Sequence, residues 1–188
     1  PENRASLREM IRAIDESSRA AGQLLDHAMV TFRIDSLERN AIDLTELGKE
    51  LVGRLQPIAE LKDIDLSFTG YSCPAITGDA ILVQNAVRNI LDNAIKYSAT
   101  DTTIQVSTRQ TNSAIMIQVQ DEAGGFADMD TDALTHRFTR GENAEGTVGS
   151  GLGLTIAREV VEAHGGSLLI ETTDTGTGAC VSLCFPLA

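Results

Sequence analysis

Several features that would define a function class outright are missing from this sequence. No basic stripe is visible: 27 acidic residues outnumber 15 basic ones, for a formal net charge of -12. A nucleic-acid surface needs clustered Lys and Arg to displace phosphate counterions, so that class is excluded. Cys73, Cys180 and Cys184 are odd in number and show no CxxC spacing. That argues against a disulfide framework or a zinc site and for reduced cytosolic thiols. No apolar run approaches the roughly 20 residues of a membrane span, and no signal peptide is visible. A soluble stretch is expected, which is compatible with its being part of a membrane-anchored protein. Neither a Ser-His-Asp or Cys-His constellation nor a His/Cys metal cluster can be read. Internal repeats and low-complexity tracts are absent too.

What is present suits a globular chain. The apolar fraction is 42% over 188 residues, enough for one medium domain with a real core plus a smaller element. The first element is a long amphipathic helix from about Arg4 to Phe32. Its Leu7, Ile11, Ile14, Ser18, Ala21, Leu25, Ala28 and Phe32 follow a heptad seam. The wider stripe, with Met10 and Leu24, suits a four-helix bundle, and it requires a partner. A polar linker spans Arg33 to Ala41. Ile42 to Leu44 reads as a short strand, and Asp43 with Glu46 has capping-box spacing for a helix to about Lys62. Leu47, Leu51, Leu55 and Ile58 are its expected inward face, and Pro57 is expected to bend or shorten it.

Ile64 to Phe68 alternates as a half-buried strand, Ala75 to Thr77 can pair briefly, and Asp79 caps the next helix. Ile81, Leu82, Ala86, Ile90, Leu91, Ala94 and Ile95 give that helix its apolar face, while Asn89 and Asn93 share another face. Two such Asn can be an ordinary solvated face. Strands follow at Thr103 to Arg109 and Ala114 to Gln120, then a polar, glycine-bearing stretch from Ala127 to Ser150 with the composition of a functional loop. A helix from Leu152 to His164, stopped by Gly165-Gly166, and strands at Ser167 to Thr172 and Ala179 to Phe185 complete the pattern. This is an α+β arrangement: a mixed sheet with helices on one face and the other face open.

The motifs form an ordered set. Asn89-Ile-Leu-Asp-Asn93-Ala-Ile-Lys96-Tyr97-Ser98 resembles the N box of bacterial sensor histidine kinases. Asp121-Glu-Ala-Gly-Gly125-Phe resembles their first glycine box, Arg137-Phe138-Thr-Arg140-Gly the end of their F box, and Gly149-Ser-Gly151-Leu152-Gly153-Leu with the helix after it their second glycine box. The resemblance runs from Ile42 to Ala188. It implies the Bergerat-type α/β sandwich shared with gyrase, MutL and chaperone ATPases, preceded by one long bundle helix. It divides the chain into 1–40, the second helix of a dimerisation and phosphoacceptor hairpin plus linker, and 41–188, an ATP-binding catalytic domain.

The chemistry of a nucleotide site fits those positions. A carboxylate can accept from the exocyclic amine of adenine, and a neutral amide is a hard oxygen ligand for Mg²⁺. The resemblance assigns adenine to Asp121 beside Gly125, and Mg²⁺ to Asn93, with Asn89 near the metal or its waters. Turn formation is the plain alternative for Asp121. Lys96 can meet a phosphate oxygen, or be a solvated helix lysine, and Tyr97 can pack near the base. Gly149, Gly151 and Gly153, with Leu152 between them, open a helix whose dipole favours anions. Phe138 and Arg140 resemble lid residues, Arg140 touching phosphate, the acceptor helix or solvent, and Thr177 can reach the adenine pocket through water. Two departures from the family pattern stand out: Ala123 replaces a glycine, and Thr135 stands where a first Phe is common.

The resemblance therefore implies an ATP- and Mg²⁺-dependent protein histidine kinase. Its acceptor His would lie outside this chain, on a first hairpin helix missing from an N-terminally truncated sequence. None of His27, His136 and His164 is followed by the usual Glu. Expected partners are a response-regulator receiver Asp and a second copy through the N-terminal helix, in the cytoplasmic portion of an inner-membrane sensor. The rivals are a pseudokinase scaffold, which Ala123 and Thr135 would favour, and an anti-sigma-type serine kinase, which the long heptad helix argues against. Gyrase- or MutL-like ATPases are disfavoured by the compact lid and acidic surface.

Overall fold

The computed structural model describes residues 27–122, 152–173 and 178–187, together with Met10, Ile14, Ser17, Ser18, Ala21, Gly22 and Leu25. Those early residues are helical, and helix α1 is continuous over 27–34. The described residues of its expected seam, Ile14, Ser18, Ala21, Leu25, Ala28 and Phe32, are all exposed. Val30, off that seam, is instead buried with the main core.

Two aspartates start the next helices in the same way. Asp43 accepts from the N–H groups of Thr45 and Glu46 to open α2, Leu44–Glu60. Asp79 accepts from those of Ile81 and Leu82 to open α3, Ala80–Tyr97. Each satisfies two of the N–H donors that a helix start leaves unpaired. Pro57 lies inside α2, three residues before its end, and the helix is stopped short of Lys62 by Asp63 at φ 54°, where the Asp63 and Ile64 N–H groups turn back to Glu60 O and Ala59 O. Leu51 and Leu55 face inward as expected, joined by Leu44, Gly48, Val52 and Ala59. Ile58 does not: it is 51% exposed, because the inward face follows 44, 48, 51, 55 and 59. Ile81 likewise faces out at 53%, one residue ahead of the buried row that begins at Leu82.

The first strand, β1, is Asn40–Ile42 rather than 42–44, since Asp43 is already committed to capping. It pairs antiparallel with β3, Ile76–Gly78. The main sheet contains β2 (Asp65–Phe68), β4 (Thr103–Gln110), β5 (Ala114–Gln120), β6 (Ser167–Thr172) and β7 (Ala179–Pro186). Its order is β2-β4-β5-β7-β6, with β2 parallel to β4 and every other pairing antiparallel. Ile104 and Val106, Ile115, Ile117 and Val119, and Val181, Leu183 and Phe185 alternate onto one buried face. The neighbours on those strands, such as Gln105, Arg109, Gln118 and Gln120, make the other face largely polar.

Helix α2 packs on β2, β4 and β5, α3 on β5, and α4 (Gly153–Ala163) on β6 and β7. This is the expected α+β sandwich, a mixed sheet with helices on one face. Helices α3 and α4 also lie against each other. Val83, Ala86 and Leu91 of α3 are fully buried, and truncating such a Leu to Ala costs about 2–5 kcal/mol. Helix α3 is therefore a rigid platform for whatever its other face carries.

Candidate functional site

The cap at Asp79 and the buried row from Leu82 to Ile95 fix how α3 is rotated, and so where its polar residues point. Asn89 and Asn93, one turn apart, face the start of α4. A methyl group built on Gly153 would lie 3.0 Å from Asn93 Nδ2 and 3.5 Å from Asn89 Oδ1. Glycine at 153 is what lets the α4 start approach the two amides so closely. Asn89 Nδ2 donates to Asn85 O at 2.9 Å, which fixes that amide's orientation. The Asn93 amide takes no hydrogen-bond partner among the described residues.

The start of α4 is suited to an anion. Leu152 at its N-cap is buried, and it makes no side-chain capping bond; no acidic residue lies in the first turn. The positive end of the helix dipole favours a negatively charged group there. Asn89, Asn93 and Gly153 thus come together at the start of α4.

Asp121 lies in a second group, where β5 ends against the start of β7. Its N–H donates to Ala179 O at 2.9 Å, and its Oδ1 accepts from Ala179 N–H at 3.2 Å. Gly178 passes so near that a methyl there would lie 2.1 Å from Asp121 O. The carboxylate is buried and held in a fixed orientation by these bonds, which suits reading a donor on a flat ring.

Lys96 and Tyr97 end α3 together. Lys96 Nζ donates to Tyr97 Oη at 3.1 Å and sits 4.6 Å from the ring centroid, so ring and ammonium form one amphipathic surface. Tyr97 is 44% exposed and free to stack. Gly125, Phe138, Arg140, Gly149, Gly151 and Thr177 lie outside the described residues, as do Ala123 and Thr135.

Among the described residues no group of three His, Cys, Asp or Glu could hold a metal ion. A hard divalent cation here would need amide oxygens, water and the ligand's own oxygens, which is how Mg²⁺ is held beside phosphates. The paired Asn amides fit that requirement. Burial pushes the Cys180 and Cys184 thiols up, and both cysteines are unbridged, in keeping with inert packing residues.

Three supporting residues gave no local signal in the sequence. Lys62 Nζ donates to Ile95 O, Lys96 O and Ser98 O at 2.5, 3.1 and 3.3 Å, a cation on the negative end of α3. His164, buried at the end of α4, bonds through Nδ1 to Val160 O at 2.7 Å. Its Nε2 accepts from Asp79 N–H at 2.9 Å, so the neutral Nδ1–H tautomer ties α4 to the start of α3. Arg33 reaches Asp79 from α1, with Nε 2.8 Å from Oδ2. Burial alone would raise the Asp79 carboxyl. The bond from Arg33, those from Leu82 and Glu38 N–H, and the Arg33 charge more than offset this, leaving it below the usual carboxylate range.

Known proteins resemble this chain in sequence and in fold. The family model described as histidine kinase-, DNA gyrase B- and HSP90-like ATPase matches residues 78–188. The chain is 30% identical over 171 residues to the sensor-like histidine kinase SenX3 of Mycobacterium tuberculosis, covering 88% of this chain and 42% of that one. It is 30% identical over 188 residues to the sensor protein SphS of Synechococcus elongatus, covering 93% and 45%. Among solved structures, a mycobacterial sensor histidine kinase, MprB, superposes with a TM-score of 0.69 at 26% identity, covering 79% of this chain and 97% of that one. The chain thus spans under half the length of these two curated relatives.

Proposed function

Because the chain belongs to the histidine kinase-, DNA gyrase B- and HSP90-like ATPase family, we propose that it is the ATP-binding catalytic part of a two-component sensor histidine kinase. The observation that carries this reading is the convergence of Asn89 and Asn93 on Gly153 at the start of α4. One side offers neutral oxygens to a cation, the other a positive dipole to the phosphates beside it.

In this reading Asn93 ligates Mg²⁺ and Asn89 its waters, while α4 faces the phosphate chain. Asp121 accepts from adenine, Gly125 and Thr177 are assigned to adenine by their motifs, and Tyr97 packs beside the base. Lys96 leaves the Tyr97 ring to meet a phosphate oxygen. By their motifs, Phe138, Arg140, Gly149 and Gly151 are assigned to nucleotide contact as well. Mg²⁺ neutralises charge on the transferring group, and the protein contributes positioning. The γ-phosphoryl passes to an imidazole nitrogen with ADP leaving, then to an Asp of a response regulator.

Neither described histidine is placed to be the phosphate acceptor. His164 has both ring nitrogens engaged in the core, and His27 is half-buried against Glu159. The exposed seam of residues 1–40, with Ile14, Leu25 and Phe32, is the surface for a second copy, and 41–188 is the catalytic domain. Among the described residues no helix is long and apolar enough to cross a membrane.

The test is calorimetric titration of a non-hydrolysable ATP analogue into the 188-residue chain, with Mg²⁺ and with chelator. Metal-dependent binding is expected. No binding at millimolar ligand would overturn the kinase reading in favour of a scaffold built on the helix.

A further inference from the structure

We propose that Arg33 is a positioning residue for the nucleotide site, acting through Asp79, so that docking of the α1 end and nucleotide binding are energetically coupled. This rests on the reading of Asn89 and Asn93 given above.

Every acceptor on Asp79 is committed. Oδ1 accepts from Ile81 and Leu82 N–H at 3.1 and 3.3 Å, and so caps α3. Oδ2 accepts from Arg33 Nε at 2.8 Å and from Glu38 N–H at 3.2 Å. The side chain is fully buried, so Arg33 is its counter-charge as well as its donor. Without Arg33 the carboxylate would have to take a proton or turn toward water, and either change loosens the cap.

That cap is the root of the helix carrying both Asn residues. Asn89 and Asn93 lie roughly 15–20 Å along α3 from it at 1.5 Å per residue, so a small tilt at Asp79 becomes a displacement at the amides. The sensitive dimension is the gap to Gly153, where a methyl group would already press on Asn93 at 3.0 Å.

The end of α1 holds the other side of that gap too. His27 Nε2 lies 3.3 Å from Glu159 Oε2 on α4, and Val30 between the two polar contacts is buried in the core. The α1 end therefore braces α3 through Arg33 and α4 through His27, and these are the two helices that meet at Asn93 and Gly153. If bracing changes nucleotide affinity by some factor, nucleotide must change bracing by the same factor.

The experiment uses the full 188-residue chain, titrated with a non-hydrolysable ATP analogue plus Mg²⁺ well below the melting temperature of every variant. Arg33→Gln is expected to weaken binding about 5-fold or more, the lower end of usual coupling. Arg33→Lys, which keeps the charge, should recover part of the loss. Adding Asp79→Asn to Arg33→Gln should cost less than the sum of the two single changes. In hydrogen exchange, nucleotide should raise protection of residues 27–38 in the wild type and not in Arg33→Gln. Equal affinity in the wild type and Arg33→Gln, whatever the melting temperature, would reduce the ion pair to a structural tie and overturn the inference. Absence of binding in the wild type is a different result, which removes the nucleotide reading itself and the coupling with it.

Discussion

Replacing Asn93 with Ala should separate stability from binding, because the structure gives the two effects opposite signs. The side chain is only partly buried, and its amide takes no partner among the described residues, so truncation strands no buried polar group. Within a helix, Ala is favoured over Asn by up to about 0.7 kcal/mol. A gain of about 0.5 kcal/mol in a chain this size moves the melting temperature up by roughly 1–2 °C. Binding should go the other way. One bond to a charged partner contributes about 1.5–3 kcal/mol, so affinity for Mg-ATP should fall roughly 10- to 150-fold. The assay pairs ligand-free thermal melts with calorimetric titrations in Mg²⁺ and in chelator. The ratio of the two affinities should shrink toward one in the variant. A melting temperature several degrees lower, falling in step with affinity, would show that Asn93 is structural. Unchanged affinity would move the cation away from α3.

Gly153→Ala should likewise keep the fold, since Ala in a first helical turn is favoured over Gly by up to about 1 kcal/mol, while the added methyl presses on the Asn93 amide. Nucleotide titration should show weaker binding at an unchanged or higher melting temperature, and full affinity would mean that the gap tolerates a methyl. Asp79 sets a pH dependence. Its folded pKa is depressed, so its stabilisation is present above the ordinary carboxylate range and is lost as pH falls through the lower folded value. Melts followed into acid should decline less steeply for Asp79→Asn than for the wild type, and identical slopes would remove Asp79 from the acid response.

The legible parts of this molecule were those whose cause is local. The caps at Asp43 and Asp79 act within three residues, and the alternation in β4, β5 and β7 reports a face that one strand defines by itself. The motifs singled out Asn89, Asn93 and Gly153, and these come together in the fold. What could not be read depends on partners distant in sequence. Arg33 and Asp79 are 46 residues apart, and Asp79 and His164 are 85 apart. Lys62 looked like an ordinary terminal lysine until the end of α3 came beside it. Ile58 and Ile81 were misplaced because apolar character at a helical spacing does not decide which edge of a wide stripe is covered.

The strand order has a consequence for how the chain is made. Strand β7 is the last in sequence, yet it lies inside the sheet between β5 and β6. Pairing Ala114 with Pro186 closes a loop of more than 70 residues, a late and entropically costly contact. During synthesis, β4 and β5 emerge with one long edge unpaired and must wait for β7 to cover it. Asp121 is bonded to the first residue of that strand, Ala179. The Asp121 end of the proposed site is therefore assembled only with strand β7, so a chain halted before that strand would display an open edge and an unfinished Asp121 environment.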